Sequence, residues 1–284
     1  MVSRVRALVS ALGASWLGRL LSRCGRDRID LFAAAVAFNA IFAMFPLMFA
    51  VLAIVGFVLR SPSLRASAQE TVLMVLPANL AGAISEIIDS TIESAGLFGA
   101  VSLVGLLLVA PGLFGSLEAA FGRIYRVEGR PFPRLMRMSF GMILLFGLLV
   151  ILSIAVPTIL TVVISYVAAL PGVERVIEPV KGIGLWIIER LITAAGALGV
   201  FFAIYRIVPN RRIGVREALP GTVFAATAFY LLSLVFPAYV RLFGLSNLYG
   251  SFFGFFFVLM IWGNMFAVSV LIGCEINAQA AGEP

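Results

Sequence analysis

The sequence contains no histidine, and it has few aspartates and cysteines. Without histidine there is no HExxH zinc site, no Ser-His-Asp triad and no Cys-His dyad. The three aspartates, Asp27, Asp30 and Asp89, are too scattered along the chain for a two-metal hydrolase centre. We therefore predict that the protein is not an enzyme, and no pattern of residues indicates a cofactor or a metal site.

Charged residues are scarce as well. They make up 12% of the 284 residues, whereas soluble domains carry about 25%. Hydrophobic residues make up 62%, so the composition predicts an all-α, polytopic membrane protein. The two cysteines, Cys24 and Cys274, are both expected near the cytoplasmic side, where thiols stay reduced and no disulfide framework forms.

Long uncharged runs are what the sequence has in abundance. The run from Leu242 to Cys274 holds 33 residues without a charge, and about 20 helical residues cross the hydrocarbon core of a bilayer. Gly250 and Gly254 form a GxxxG pair, which lets a second helix approach closely. Similar runs predict six transmembrane helices in one domain, residues 29–278, at about residues 31–59, 94–118, 138–166, 186–208, 218–241 and 250–275.

Amphipathic segments lie on both sides of the first predicted span. Residues 1–28 place apolar side chains on one helical face among six arginines, which predicts a cytoplasmic interfacial helix attracted to anionic lipid. A signal peptide is the alternative, although polar residues interrupt this apolar run. Residues 60–94 are too polar to cross, and their helical spacing predicts one or two acidic amphipathic helices on the outer side. Residues 279–284 are expected to form a short cytoplasmic tail.

The distribution of basic residues predicts the orientation. Of 21 basic residues, those in the segments before the first span and after the second and fourth spans outnumber the rest, and cytoplasmic segments accumulate such charge. We therefore expect both termini in the cytoplasm. This topology accounts for the net charge of +7 without a nucleic-acid partner.

Polar and helix-distorting residues within the spans are candidate functional positions. Asn39 shares a small-residue stripe with Ala35 and Ala43, which favours contact with other helices. Glu118 and Glu275 lie near inner helix ends, where either could form a structural ion pair with Arg123 or with the loop 206–216, or act as a coupling carboxylate. The polar or coupling candidates are Asn39, Glu118, Thr158, Thr161, Glu275 and Asn277, and the packing or kink candidates are Pro46, Pro111, Pro157, Gly250 and Gly254.

Four segments, in this order, resemble one protein family. They are AAAVAFNAIFAMFPLMF, LEAAFGRIYRVEGRPF, YRIVPNRR followed by ALPG, and YGSFFGFFFVLMIWGNMFAVSVLIGCEIN. Over about residues 28–278 the chain resembles the YihY/virulence factor BrkB family, although Asn39 and Asn264 depart from its usual pattern. The resemblance implies six transmembrane helices, a bacterial inner membrane and a connection with lipid transport. It does not support the family's former label, ribonuclease BN, because the residues of a metal nuclease are missing.

Three functions are compatible with these observations. The first is a transporter or flippase of an amphipathic anionic substrate, such as a phospholipid or glycolipid, whose headgroup would bind Arg123, Arg126, Arg211 and Arg212 through bidentate guanidinium contacts. The second is a non-transporting scaffold for envelope assembly, with homo-oligomers or envelope proteins as partners. The third is an ion channel or exchanger. Membrane lipids are the partners that all three share.

Overall fold

The computed structural model describes residues 15–66, 81–168, 184–243 and 250–282, and within them it contains helices and no strand. This confirms the all-α prediction. The longer helices are α1 Trp16–Arg26, α2 Ile29–Val58, α3 Ala81–Tyr125, α4 Phe132–Ala168, α5 Leu185–Ile207, α6 Val215–Phe243 and α7 Gly250–Ala280. Six of them, α2 to α7, are long and apolar enough to cross a membrane, as the uncharged runs predict.

The helix α3 differs from the sequence prediction. Instead of an amphipathic helix followed by a separate span, it is one continuous helix of 45 residues. Glu86, Asp89 and Glu93 therefore stand on the same helix as the apolar run. Residues 84–95 contain no proline or glycine, so nothing in them breaks the helix. Their polar side chains do not suit the hydrocarbon core, but they leave the backbone hydrogen bonds of the helix intact. The other residues of this predicted region, 67–80, lie outside the described residues.

The interfacial-helix prediction is covered only in part. Residues 1–14 lie outside the described residues, and α1 covers the rest of the predicted segment. Ser15 caps it, since its hydroxyl accepts a hydrogen bond from the Gly18 N–H at 3.1 Å. Leu20 is buried, whereas Trp16 and Leu21 lie on the surface.

The chain forms two compact units, Phe38–Leu113 and Met1–Ala37 with Phe114–Pro284. In the first unit, α2 and α3 pack through small residues. A Cβ atom added to Gly105 would lie 2.7 Å from Cβ of Pro46, and one added to Gly112 would lie 2.8 Å from Oδ1 of Asn39. An apolar groove of about 370 Å³ runs along the face of α2 formed by Met44, Leu47, Met48, Val51 and Leu52.

The second unit contains most of the buried core. Here α4 packs on α5, α5 on α6, α6 on α7, and α7 on α1. The helices α6 and α7 approach closely at Gly221 and Gly273, because a Cβ atom on Gly221 would collide with the Gly273 carbonyl. A Cβ atom on Gly273 would collide with the Tyr205 hydroxyl, which donates a hydrogen bond to the Val270 carbonyl at 2.8 Å. This packing brings the ends of α5, α6 and α7 together.

Candidate functional site: the Asp27 cluster

The turn between α1 and α2 carries a buried carboxylate. Asp27 caps the C-terminus of α1, where its N–H donates to the Arg23 carbonyl at 2.8 Å and the Arg28 N–H donates to the Gly25 carbonyl at 3.2 Å. Its side chain is 1% exposed, and the next residue, Arg28, has the left-handed φ of 55°. A charge buried this deeply requires compensating partners.

Two arginines provide that compensation, Arg123 within α3 and Arg126 directly after it. Arg126 Nη2 lies 2.6 Å from Asp27 Oδ1, and Arg123 Nε lies 3.7 Å from the same oxygen. The two arginine side chains nevertheless stay 40% and 52% exposed, respectively. Each guanidinium has five N–H donors, so donors remain for a ligand at the surface.

Arg126 also adopts a left-handed backbone conformation, with a φ of 57°. Such conformations favour glycine, because the Cβ atom of any other residue costs about 1–2 kcal/mol there. Both Arg28 and Arg126 follow the end of a helix, the position at which glycine is most common. The chain thus places arginines at two positions where glycine would fold more easily.

A second carboxyl group reaches Asp27 from α7. Glu275 is buried and lies close enough to interact electrostatically with Asp27 and with Arg23 and Arg26 of α1. We call Asp27, Glu275, Arg123 and Arg126 the Asp27 cluster.

The thiol of Cys24 lies close to this cluster. Its partial burial raises its pKa to about 11, and the negative charge of Glu275 contributes the next largest part of the shift. The side chain of Cys274 is buried as well, and neither cysteine forms a disulfide. Cys24 is therefore a weak nucleophile at neutral pH.

Glu118 belongs to a different network. Its Oε2 lies 3.1 Å from Arg130 Nη1, and its Oε1 accepts the Arg130 backbone N–H at 2.5 Å. The Arg130 guanidinium also donates to the backbone carbonyls at the end of α5, those of Ile207, Val208 and Pro209, at 3.1, 2.5 and 2.8 Å. We call these groups the Glu118 clamp, and they join the α3–α4 loop to the α5–α6 loop.

The clamp corrects the predicted pairing of Glu118, whose partner is Arg130 and not Arg123. Glu275 likewise faces Asp27, Arg23 and Arg26 rather than Arg123 or the loop 206–216. Asn277, the other polar candidate on α7, accepts the Gly221 N–H through its Oδ1 at 2.6 Å. That amide therefore contributes to packing between α6 and α7.

The four candidate headgroup arginines occupy different environments. Arg123 and Arg126 belong to the Asp27 cluster. Arg211 pairs with Glu217 at 2.5 Å, and its guanidinium lies 4.6 Å from the centre of the Tyr125 ring. Its guanidinium is therefore already engaged in contacts within the protein. Arg212 is exposed beside it.

The remaining candidates have mainly packing environments where the structure describes them. Asn39 and Pro46 lie against glycines of α3, and Pro46, Pro111 and Pro157 are each contained within a continuous helix. Thr158 and Thr161 are on α4, and Gly250 and Gly254 are on α7, but their side-chain surroundings lie outside the described part of the chain.

Sequence reasoning missed Asp27 and Arg130. Asp27 precedes the first apolar run and resembles an ordinary solvated residue, while Arg130 is one of five arginines in a basic loop. A weak signal for Asp27 was available, since a lone aspartate amid arginines at a helix boundary suggests an ion pair. Nothing in the spacing distinguishes Arg130 from its neighbours.

Six apolar helices with a buried charged cluster at one end define a polytopic helical membrane protein. Residues 20–283 match the family model described as virulence factor BrkB. The chain belongs to this family.

Relatives with curated names support the same assignment. A UPF0761 membrane protein of Alteromonas mediterranea is 24% identical over 92% of this chain and 86% of its own length. A UPF0761 membrane protein of Stenotrophomonas maltophilia is 27% identical over 90% of this chain, which spans only 58% of that relative. The ribonuclease-like protein YfkH of Bacillus subtilis is 41% identical, over 28% of this chain and 29% of its own. No solved structure matches the chain.

Proposed function

We propose that this protein is a transporter or flippase that moves an amphipathic anionic substrate, of the phospholipid or glycolipid class, through the bacterial inner membrane. The end of the molecule that carries the Asp27 cluster would face the cytoplasm, together with both termini. The observation that carries the proposal is the pair Arg123 and Arg126, which converge on one buried carboxylate oxygen yet stay about half exposed.

This geometry suits a phosphate headgroup for two reasons. The buried Asp27 holds both guanidinium groups in place, so a headgroup would not have to order two long side chains by itself. Two arginines against one aspartate also leave an excess of positive charge at the surface, which attracts an anion. Arginine donates two parallel hydrogen bonds to a phosphate, and such charge-assisted bonds are about twice as strong as neutral ones.

Other exposed arginines belong to the same compact unit as the Asp27 cluster. Arg28, Arg134, Arg137 and Arg212 are all exposed and all belong to the second unit. Basic residues near an anionic membrane surface contribute about 1 kcal/mol each. These arginines would add to the attraction that Arg123 and Arg126 exert on an anionic headgroup.

The scaffold hypothesis has less support from the described residues. It rests partly on the stripe of Ala35, Asn39 and Ala43 as a surface for a partner. Asn39 packs instead against Gly112 of the same chain, and Ala43 is buried. Packing within the chain thus accounts for part of that stripe.

Headgroup translocation in proteoliposomes tests the proposal. The full chain is reconstituted with fluorescent phosphatidylglycerol, and the headgroup's accessibility to a membrane-impermeant quencher is followed over time. We expect the protein to accelerate translocation and the double variant Arg123→Gln/Arg126→Gln to slow it by about tenfold or more, since it loses two charge-assisted contacts.

Arg65→Gln provides the matched control. Arg65 is also a half-exposed arginine, paired with Asp89, but it follows the C-terminal end of α2, whereas Asp27 precedes its N-terminal end. We expect this variant to translocate at the wild-type rate. The proposal fails if wild-type protein does not accelerate translocation of any anionic lipid, or if the two variants behave alike.

A further inference from the structure

In the described part of the chain, two residues other than glycine have a left-handed backbone, and both belong to the region of Asp27. They are Arg28, with a φ of 55°, and Arg126, with a φ of 57°. Arg126 forms the 2.6 Å ion pair with Asp27. Arg28 directly follows Asp27, so its Cα atom lies about 3.8 Å from that of Asp27. The two strained arginines therefore meet at one buried carboxylate.

Hydrogen bonds hold the backbone of Arg28 on both sides. Its N–H donates to the Gly25 carbonyl at 3.2 Å, and its carbonyl accepts the N–H groups of Leu31 and Phe32 at 3.1 and 3.3 Å. Glycine could make the same backbone bonds, and it is the most common residue at such a helix end. The fold therefore requires a left-handed backbone at this position, but it does not require an arginine side chain.

The side chain of Arg28 is exposed, and none of the ion pairs between described residues includes it. A left-handed conformation costs free energy for any residue that has a Cβ atom. Strained residues of this kind cluster at functional sites such as ligand clamps. The ligand of Arg28 should therefore lie beside Asp27, where Arg126 has the same strain.

Three guanidinium groups can bind a ligand there while Asp27 keeps its partners. Arg123 and Arg126 contact a single oxygen, Asp27 Oδ1, and each guanidinium has five N–H donors. Most of those donors remain for a ligand at the surface. Arg28 adds a third guanidinium, and no described carboxylate takes its donors.

The charges of this region favour a ligand with two negative charges. Five arginines and three carboxyl groups lie in the α1–α2 turn or act on it, so two positive charges remain even when every carboxyl is ionised. The arginines are Arg23, Arg26, Arg28, Arg123 and Arg126, and the carboxyl groups are those of Asp27, Asp30 and Glu275. A terminal phosphate carries about 1.5–2 negative charges at pH 7 and has three acceptor oxygens, whereas a phosphodiester carries a single charge.

We propose that Arg28 joins Arg123 and Arg126 in one headgroup site, and that this site prefers a lipid whose headgroup is a phosphomonoester. The inference rests on the proposed function, because it takes a lipid headgroup as the ligand, and it narrows the anionic class to one chemistry. It also accounts for the strain at Arg28, since the backbone conformation costs stability while the guanidinium contributes to binding.

Binding of short-chain lipids to the purified full chain tests the preference. Isothermal titration at about pH 8 compares dihexanoyl phosphatidic acid, a phosphomonoester, with dihexanoyl phosphatidylglycerol, a phosphodiester. We expect the wild-type protein to bind phosphatidic acid at least about tenfold more tightly, the factor that one further charge-assisted contact contributes. Equal binding of the two lipids would overturn the preference.

Two substitutions of Arg28 separate binding from folding. Arg28→Gly removes the guanidinium and the backbone strain together, so the two lipids should bind within about threefold of each other while the denaturation midpoint rises. Arg28→Ala removes the guanidinium but keeps the strain, so it should lose the preference without any gain in stability. A tenfold preference that persists in both variants would overturn the role of Arg28.

Arg137→Gln is the control for charge alone. Arg137 is exposed and belongs to the same compact unit, but it lies on α4. We expect this variant to bind both lipids slightly and equally more weakly, so that the ratio of their affinities stays the same. A loss of preference as large as that in Arg28→Gly would indicate general electrostatic attraction and overturn the proposed site.

Two further ligands distinguish the possible failures. Glycerol 3-phosphate has the phosphomonoester without acyl chains and should bind at least about tenfold more weakly than phosphatidic acid; equal binding would identify a soluble phosphate ester as the ligand and overturn the lipid assignment. If phosphatidic acid and phosphatidylglycerol bind equally, but both more tightly than dihexanoyl phosphatidylcholine, the phosphomonoester preference fails and the proposed function stands. If neither binds more tightly than phosphatidylcholine, both fail.

Discussion

The Asp27 cluster and the Glu118 clamp are built from the same residue types, buried carboxylates and arginine. They differ in how many of the arginine's N–H donors bond to the protein. Arg130 is 18% exposed and bonds a carboxylate and three backbone carbonyls. Arg123 is 52% exposed, and its distance to Asp27 is 3.7 Å. A guanidinium with four of its five donors used fixes two loops, whereas one that keeps most of its donors at the surface can still bind a ligand.

The largest expected effect is on the Glu118 clamp. Replacing Arg130 by Met leaves the buried Glu118 without its guanidinium partner and removes the donor that the carbonyls at the end of α5 share. We expect the free energy of unfolding to fall by about 3–5 kcal/mol. Denaturant titration of the purified protein measures this, and Arg134→Met, an exposed arginine four residues later, should change stability by less than about 0.5 kcal/mol. Equal effects of the two variants would show that the clamp is not a structural element.

Replacing the two arginines that have a left-handed backbone should change the free energy of unfolding by a smaller amount, and the two changes should differ in sign. Arg28→Gly removes backbone strain and is expected to stabilise the protein by about 0.5–1 kcal/mol. Arg126→Gly removes similar strain but also the 2.6 Å ion pair with Asp27, so its stability should not increase. Denaturant titrations of both variants compare them directly. An equal gain in both variants would contradict a stabilising role for the Arg126–Asp27 contact.

The smallest effect concerns Cys24, which reports the charge of the Asp27 cluster. With a pKa of about 11, about one thiol in a thousand is ionised at pH 8, so alkylation should be slow. Because the negative charge of Glu275 is the second cause of that shift, Glu275→Gln should lower the pKa of Cys24 and raise its alkylation rate a few-fold. The pH dependence of iodoacetamide labelling measures this, with Cys24→Ala as the control. An unchanged rate would mean that Glu275 is neutral in the wild-type protein.

The sequence predicts the spans well because uncharged length is a direct requirement of the bilayer. It predicts helix ends less well, since charge stops a hydrocarbon-compatible run and not a helix. The helix α4 shows this, because it begins at Phe132, before Arg134 and Arg137, whereas the uncharged run begins at Met138. For the same reason, the end of an uncharged run was taken as the end of a helix, and α3 was predicted as two elements.

The partners within the clusters were beyond sequence reasoning. Glu118 and Glu275 stand out because acids are rare beside apolar runs. Their partners, Arg130 and Asp27, do not, since each lies in a polar segment where charge is expected. Only the fold brings Arg130 to residues 207–209, 77 to 79 positions along the chain, and Asp27 to the end of α7.

The continuity of α3 has a consequence for how the protein meets its surroundings. A helix of 45 residues is about 68 Å long, and the hydrocarbon core of a bilayer is about 30 Å thick. The helix therefore continues beyond the hydrocarbon-compatible stretch, and its first turns carry Glu86, Asp89 and Glu93. This acidic start of α3 is a continuous helical segment to which a label or an antibody fragment could be attached.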